Sequence, residues 1–379
     1  MPKILVSYGT RPEGIKLAPV IHELRARAGV DVVTLNVGQH GAMLDETMDA
    51  FSIASKHRLE VISPGQTLDD LTARALPPIG RTISGEQPDM VIGQGDTTTV
   101  FVTALAAFYH RVPFAHVEAG LRTHIPDLPF PEEMNRRLAT ALSSLHFAPT
   151  TESRANLLRE GVADELISVT GNTVIDALLW MLEQGPGPGA ALAPILADSR
   201  RLVVITAHRR ESWGVPMEEI GAAVTELAET SPDVLFVFPI HPNPRVREAF
   251  GPAMRSLGNV QIIEPVPYTS FVHLMKRADL LLTDSGGIQE EAAALQKPVL
   301  VMRDVTERGE GLATGTSTLV GRDRSTITGA VRSILSDPVE YQRHVSLENP
   351  YGDGRAALRI ADRIIAFLDD RSRANGELS

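Results

Sequence analysis

The sequence predicts an α/β fold of two tandem, doubly wound Rossmann-like domains. Short apolar runs alternate with stretches of helical apolar spacing, the signature of a mainly parallel sheet covered on both faces. At 379 residues the chain exceeds one typical core, and a prior of roughly 150 residues per domain suggests two. The stretch Gly185-Pro186-Gly187-Pro188-Gly189-Ala190-Ala191 reads as a surface linker or loop between two such series. Tandem doubly wound domains place a crevice between them. The expected division is 1–170 and 171–355, with a last helix over 356–370 joined to the first domain.

In the first series, residues 3–7 are an apolar strand and 8–13 a turn, and 14–27 carries helical spacing through Ile15, Ala18, Val20, Ile21 and Leu24. A strand over 32–37 leads through Gly38-Gln39-His40-Gly41 to a helix near 42–51. The spacing over 68–83 predicts a helix interrupted at Pro77-Pro78. A strand at 90–92 stops at Gly93-Gln94-Gly95-Asp96, with a helix over 97–109; a strand at 113–117 ends at Glu118-Ala119-Gly120. The second series sets strands at 202–206, 234–238, 260–263, 280–283 and 299–302 against helices at 217–229, 245–257, 269–277 and one starting after Gly287. A helix over 356–368 follows, and 371–379 reads as frayed.

Composition narrows the function classes. Hydrophobic residues make up 43% and charged residues 22% of the chain, and no apolar run is long enough for a transmembrane helix. Met1-Pro2-Lys3 passes directly into the strand residues Ile4-Leu5-Val6, with no signal-peptide apolar region, so a cytoplasmic location is expected. The absence of cysteine excludes disulfides, thiolate metal sites and a cysteine nucleophile. A net charge of −11 argues against a broad nucleic-acid surface, and an anionic ligand would need a local basic pocket. Neither GxGxxG nor GxxxxGK[ST] occurs and the histidines lack HExxH spacing, so no nicotinamide, other cofactor or metal is expected.

The most informative stretch is LLLTDSGGIQEE, 280–291, which reads as a buried strand, a glycine turn and a helix start. Free N–H groups in a helix's first turn, together with the positive dipole end, can hold a phosphate that Gly286 and Gly287 allow to approach. Glu290 or Glu291 could then accept from ribose hydroxyls. The competing reading makes Asp284 and Ser285 ordinary N-caps and the glutamates dipole complements. In open α/β sheets ligands sit beyond the carboxyl ends of strands, which draws attention to Arg11, Asp96, His116, Glu118, His208, Arg209, Arg210 and His241.

The motifs GTRPEGIKLAP (9–19), QHGAML (39–44), GQGDTTTV (93–100), HVEAGLRT (116–123), PEEMNRRL (131–138), GNTVIDAL (171–178), HRRES (208–212), HPNP (241–244), TDSGGIQEE (283–291) and NPYGDG (349–354) occur in order along nearly the whole chain. Taken together they resemble the non-hydrolysing UDP-N-acetylglucosamine 2-epimerases. The resemblance implies the glycosyltransferase-B architecture with an interdomain active-site cleft, an isomerase acting on a UDP-sugar, and a homodimer. It implies elimination of UDP from UDP-N-acetylglucosamine to give 2-acetamidoglucal, then re-addition with the proton returned to the other face of C2.

By motif match, Asp96, Glu118 and Glu132 are acid–base candidates, with His208 also in the catalytic set. Arg11, Lys16 and Arg308 would face the diphosphate or sugar, Phe271 the uracil, Ser285, Gly286 and Gly287 the phosphates, and Glu291 the ribose. Glu133 could equally be a solvated helix charge and Lys16 a helix-surface cover. Candidate allosteric residues are Gln39, His40, Gln66, Arg209 and His241, although Glu46 stands where regulated members tend to carry Gln. The TERGEG segment, 306–311, lacks the proline usual after TER, which should loosen the loop around Arg308. Alternatives within this reading are a hydrolysing epimerase releasing N-acetylmannosamine and UDP, an epimerase of a UDP-diacetamido sugar, and a glycosyltransferase of the same architecture.

Overall fold

The computed structural model describes residues 1–376 apart from 40, 64, 210, 211, 251–253, 255 and 346. The chain divides into two compact units, Met1–Trp180 together with the segment from Gly352, and Met181–Tyr351.

In the first unit the strands are β1 (Lys3–Tyr8), β2 (Asp31–Asn36), β3 (His57–Arg58), β4 (Met90–Gln94), β5 (Phe114–Val117), β6 (Leu145–Ala148) and β7 (Ile167–Val169). They form a parallel sheet in the order β3-β2-β1-β4-β5-β6-β7. The second unit contains β8 (Arg201–Thr206), β9 (Val234–Pro239), β10 (Val260–Ile263), β11 (Leu280–Thr283), β12 (Val299–Val301) and β13 (Ser317–Leu319). These too are parallel, in the order β10-β9-β8-β11-β12-β13. Both orders reverse once, between β1 and β4 and between β8 and β11, and a crevice opens at such a switch point beyond the strands' carboxyl ends.

The central strands are apolar on both sides because helices cover both faces. Leu5, Val33, Val91 and Phe114 pack with Ala75, Ile79 and Ile83 from helix Leu68–Glu86. Val203, Ile205, Phe236 and Leu282 pack with Ile220, Val224 and Leu227 from helix Val215–Thr230.

Four expectations need correction. Helix Leu68–Glu86 runs unbroken through Pro77 and Pro78. The carbonyls left without a partner by the two imides belong to Ala73 and Arg74, which are exposed and can be served by water. The last helix, Ala356–Gly376, extends through the segment expected to fray, with its final turns exposed. Helix Pro244–Ala249 is shorter than the expected 245–257, part of which lies outside the described residues. The chain leaves the first unit at Trp180, inside helix Thr173–Gln184, rather than at 170. The start of that helix is held in the first unit by Asp176, whose carboxylate accepts from Ala356 N at 3.2 Å and Ala357 N at 2.8 Å.

Candidate active site

At the first switch point, β1 turns through Gly9 and Thr10 into helix Arg11–Arg25. Thr10 caps the helix and Glu13 completes a capping box, accepting from Gly9 N (3.0 Å) and Thr10 N (2.6 Å). The other Glu13 oxygen accepts from Thr97 Oγ1 at 2.6 Å, so one carboxylate ties the β1 turn to the residues after β4. Glu13 is 1% exposed, and burial pushes its carboxyl above the ordinary value against those hydrogen bonds.

β4 ends at Gln94, and Gly95 (φ +80°) turns the chain to present half-buried Asp96. Arg136 Nη2 lies 2.6 Å from Asp96 Oδ2, and Asn135 Nδ2 donates to the Asp96 carbonyl at 3.0 Å. Burial raises the Asp96 carboxyl, Glu118 adds to the rise, and Arg136 and Lys16 oppose it.

β5 delivers Glu118 in the left-handed backbone region, φ +63°. Its buried carboxylate receives Lys16 Nζ at 2.6 Å, Asn172 Nδ2 at 2.8 Å and the Gln94 amide. Beneath them His116 donates from Nε2 to Gly95 O at 2.7 Å, and burial holds it neutral with a pKa of about 3.

Glu132 and Glu133 open helix Glu132–Leu142. Glu132 keeps Oε2 out of solvent with no hydrogen-bond partner. Glu133 is fully buried, not a solvated charge: it accepts from Thr123 N (3.0 Å), His124 N (3.2 Å) and Arg137 Nε (3.2 Å) and lies 3.4 Å from Arg136 Nη1. It thereby fixes the 121–131 loop to the helix that presents Glu132 and Arg136.

At the second switch point Asp284, fully buried, accepts from the backbone N–H groups of His208 (2.7 Å) and Arg209 (2.8 Å). His208 Nδ1 lies 3.1 Å from the other oxygen. Burial alone would raise this carboxyl, but the His208 ring and the two N–H groups outweigh it and hold it low. The ordinary-cap reading therefore fails for Asp284, which organises the loop after β8. Ser285 does occupy the N-cap position of helix Gly286–Ala294, yet it makes no side-chain cap bond. Among the described residues, the first turn of that helix is therefore not capped by its N-cap side chain, a condition that favours binding of a phosphate there.

Around this turn Glu307 pairs with Arg209 (3.2 Å) and Arg303 (2.8 Å), with Arg308 at 3.9 Å. These cations overcome burial and hold Glu307 at a pKa of about 2. Arg308 also pairs with buried Glu290, and Glu291 accepts from Tyr268 Oη at 2.8 Å. Phe271 is half-buried on helix Tyr268–Arg277. A side chain on Gly286 would place its Cβ 2.8 Å from Glu307 Oε1, so this approach admits only glycine without rearrangement.

Of the sequence-predicted residues, Lys16, Asp96 and Glu118 cluster in the first unit, with Arg11 half-buried at the first position of its helix. Lys16 is a counter-ion to Glu118, which overturns its reading as a helix-surface cover. His208, Arg209, Arg308 and Ser285 to Gly287 cluster in the second, with His241 stacked on His208 at 5.8 Å. Gln39 accepts from Thr99 Oγ1 at 2.6 Å, while Gln66 closes a local turn with Ser63. Glu46 is exposed. His40 and Arg210 lie outside the described residues. Sequence reasoning missed Gln94, Asn172, Arg136 and Glu307 as partners, although the first three stand in the quoted motifs. It also missed Glu13, for which the Thr10-to-Glu13 capping-box spacing was an available signal.

Residues 22–365 match the family described as UDP-N-acetylglucosamine 2-epimerase. The chain belongs to that family. The UDP-N-acetylglucosamine 2-epimerase of Escherichia coli K12 is 46% identical over 368 residues, 96% of this chain and 98% of the relative. The crystal structure of UDP-GlcNAc 2-epimerase from Neisseria meningitidis bound to UDP-GlcNAc superposes with a TM-score of 0.89 at 42% identity, covering 96% of this chain and all of that one. The Methanocaldococcus jannaschii epimerase in complex with UDP-GlcNAc and UDP gives a TM-score of 0.79 at 34% identity, covering 96% and 99%. The paired Rossmann-like domains of this epimerase family member are the glycosyltransferase-B architecture expected from the sequence. Among the described residues no helix is long and apolar enough to cross a membrane.

Proposed function

We propose that the chain interconverts UDP-N-acetylglucosamine and UDP-N-acetylmannosamine by reversible epimerisation at C2, as a cytoplasmic homodimer. The observation that carries this reading is a set of carboxylates in contrasting environments at the first switch point, together with an uncapped glycine helix start at the second.

The C2–H bond is not adjacent to a carbonyl and is a poor acid. Its proton can leave only as the C1–O bond breaks, with that electron pair passing to the UDP oxygen and the C2–H pair forming the C1=C2 bond of 2-acetamidoglucal. Re-addition of UDP, with a proton delivered to the opposite face of C2, completes the exchange. Asp96, Glu118 and Glu132 supply the acid–base groups. Burial raises the Asp96 carboxyl above its ordinary value, while Glu118 faces the donors Lys16, Gln94 and Asn172. The N–H groups of helix Gly286–Ala294, with Arg11, His208 and Arg308, stabilise the departing diphosphate. Phe271 contacts uracil and Glu291 the ribose.

Incubation with UDP-N-acetylglucosamine in deuterated water, followed by NMR, tests the reading. Deuterium at C2 of both epimers is expected without any acceptor. Free N-acetylmannosamine would mean hydrolysis, and an unchanged substrate would reject the assignment.

A further inference from the structure

We propose that Asn172 is a positioning residue for Glu118, and that through it the two segments where the chain leaves and re-enters the first unit set the orientation of that carboxylate. The inference rests on the epimerase reading.

Asn172 is 2% exposed and both ends of its amide are engaged. Oδ1 accepts from Val174 N at 3.2 Å, capping helix Thr173–Gln184, so the NH2 end must be the one that meets Glu118 Oε1 at 2.8 Å. Lys16 and Gln94 reach the same carboxylate from helix Arg11–Arg25 and from β4. Asn172 reaches it from the segment that departs at Trp180.

The returning segment is fastened at the same place. A Cβ on Gly352, which has φ +126°, would lie 3.1 Å from Gly171 Cα and 3.5 Å from Asn172 N. Arg359 Nη1 bridges the Thr170 carbonyl (3.0 Å) and Asp353 (2.7 Å), and Asp176 holds Ala356 and Ala357. A shift at either crossing therefore moves the Asn172 backbone, and its amide transmits the shift to a carboxylate already held on a left-handed residue.

The full-length chain tests this with Asn172→Ser and Asn172→Asp. Serine keeps a capping oxygen but is too short to reach Glu118. Aspartate keeps size and cap but turns a carboxylate oxygen toward Glu118. Because misplacing a reacting group by an ångström can cost roughly 100-fold, we expect kcat to fall by about 10- to 100-fold in both, with UDP affinity near wild type in both and Tm near wild type in Asn172→Ser, while repulsion between the two buried carboxylates lowers Tm in Asn172→Asp. Gly352→Ala should lower kcat in the same way, and the Gly352→Ala/Asn172→Ser double variant should be no slower than Asn172→Ser alone. Unchanged kcat in the Asn172 variants, parallel losses of UDP affinity and Tm, or additive effects in the double variant would each overturn the proposal. A wild-type chain inert on UDP-N-acetylglucosamine would instead reject the epimerase reading, and this inference with it.

Discussion

Asp96→Asn separates chemistry from architecture more cleanly than any other substitution in the first unit. The side chain keeps its shape and loses its charge. Arg136 is not orphaned, because Glu133 Oε2 still lies 3.4 Å away, and Asn135 holds the backbone carbonyl of residue 96, which the substitution leaves in place. The Asp96 side chain is 28% exposed, so its ion pair with Arg136 contributes on the order of 1 kcal/mol. Burial already disfavours the ionised form, and the neutral amide is relieved of that penalty. The two changes oppose each other, and Tm should move little. Catalysis should not escape: removing a general acid or base typically costs roughly 100- to 10,000-fold, about 3–5 kcal/mol of barrier. Deuterium wash-in at C2, net epimerisation and UDP binding are measured on the same preparation. Turnover within a few-fold of wild type, or a loss of activity matched by loss of UDP binding, would refute the acid–base assignment.

Three further outcomes follow from the same geometry. Glu133→Ala leaves Arg137 and the Thr123 and His124 N–H groups without their buried acceptor and should destabilise the first unit by about 3–5 kcal/mol, read as a lower Tm. Asp284→Ala leaves two N–H groups without their buried acceptor at about 1–3 kcal/mol each and frees His208, so calorimetry should record weaker UDP binding together with a lower Tm. Glu307 is held at about 2 against an ordinary 4.5, so its stabilisation, up to about 3 kcal/mol, is present above pH 4.5 and lost as pH falls toward 2. Glu307→Gln should be less stable at neutral pH, and the gap in acid titrations should close across that window.

Much of the fold was legible because the central strands are unbroken apolar runs bounded by turn residues. β1, β8, β9 and β11 announce themselves, and the polar residue following each run marks the switch points. The weak strands were not legible. β3 spans two residues, β7 reads ISV, and β6 carries His146 among three apolar neighbours. Such segments are strands because an already formed parallel edge pairs with them, a tertiary cause that local pattern cannot express. In the site, residue types and strand ends pointed to Asp96, Glu118 and His208. Partner assignments were hidden because they join residues far apart in sequence, as Lys16 to Glu118 and Arg136 to Asp96 do. Glu133 illustrates the limit from the other side, since adjacent glutamates at a helix start look alike until one is found buried under a loop.

The helix caps explain how one fold, used twice, divides its labour. Both units offer a helix N-terminus at the switch point, and either could in principle hold a phosphate. In the first unit the capping box of Thr10 and Glu13 fills that position with the chain's own carboxylate, which also binds Thr97. A phosphate there would meet a buried anion, and the neighbouring crevice is left to Asp96 and Glu118. In the second unit Asp284 is diverted to the loop after β8, and Ser285 makes no cap bond. The carboxylate beside the start of helix Gly286–Ala294, Glu307, is itself held by Arg209, Arg303 and Arg308, so the local cluster carries a net positive charge. The sequence difference between a TRPE turn and a DSGG turn thus decides which of the two helix N-termini is capped by the side chains of its own turn.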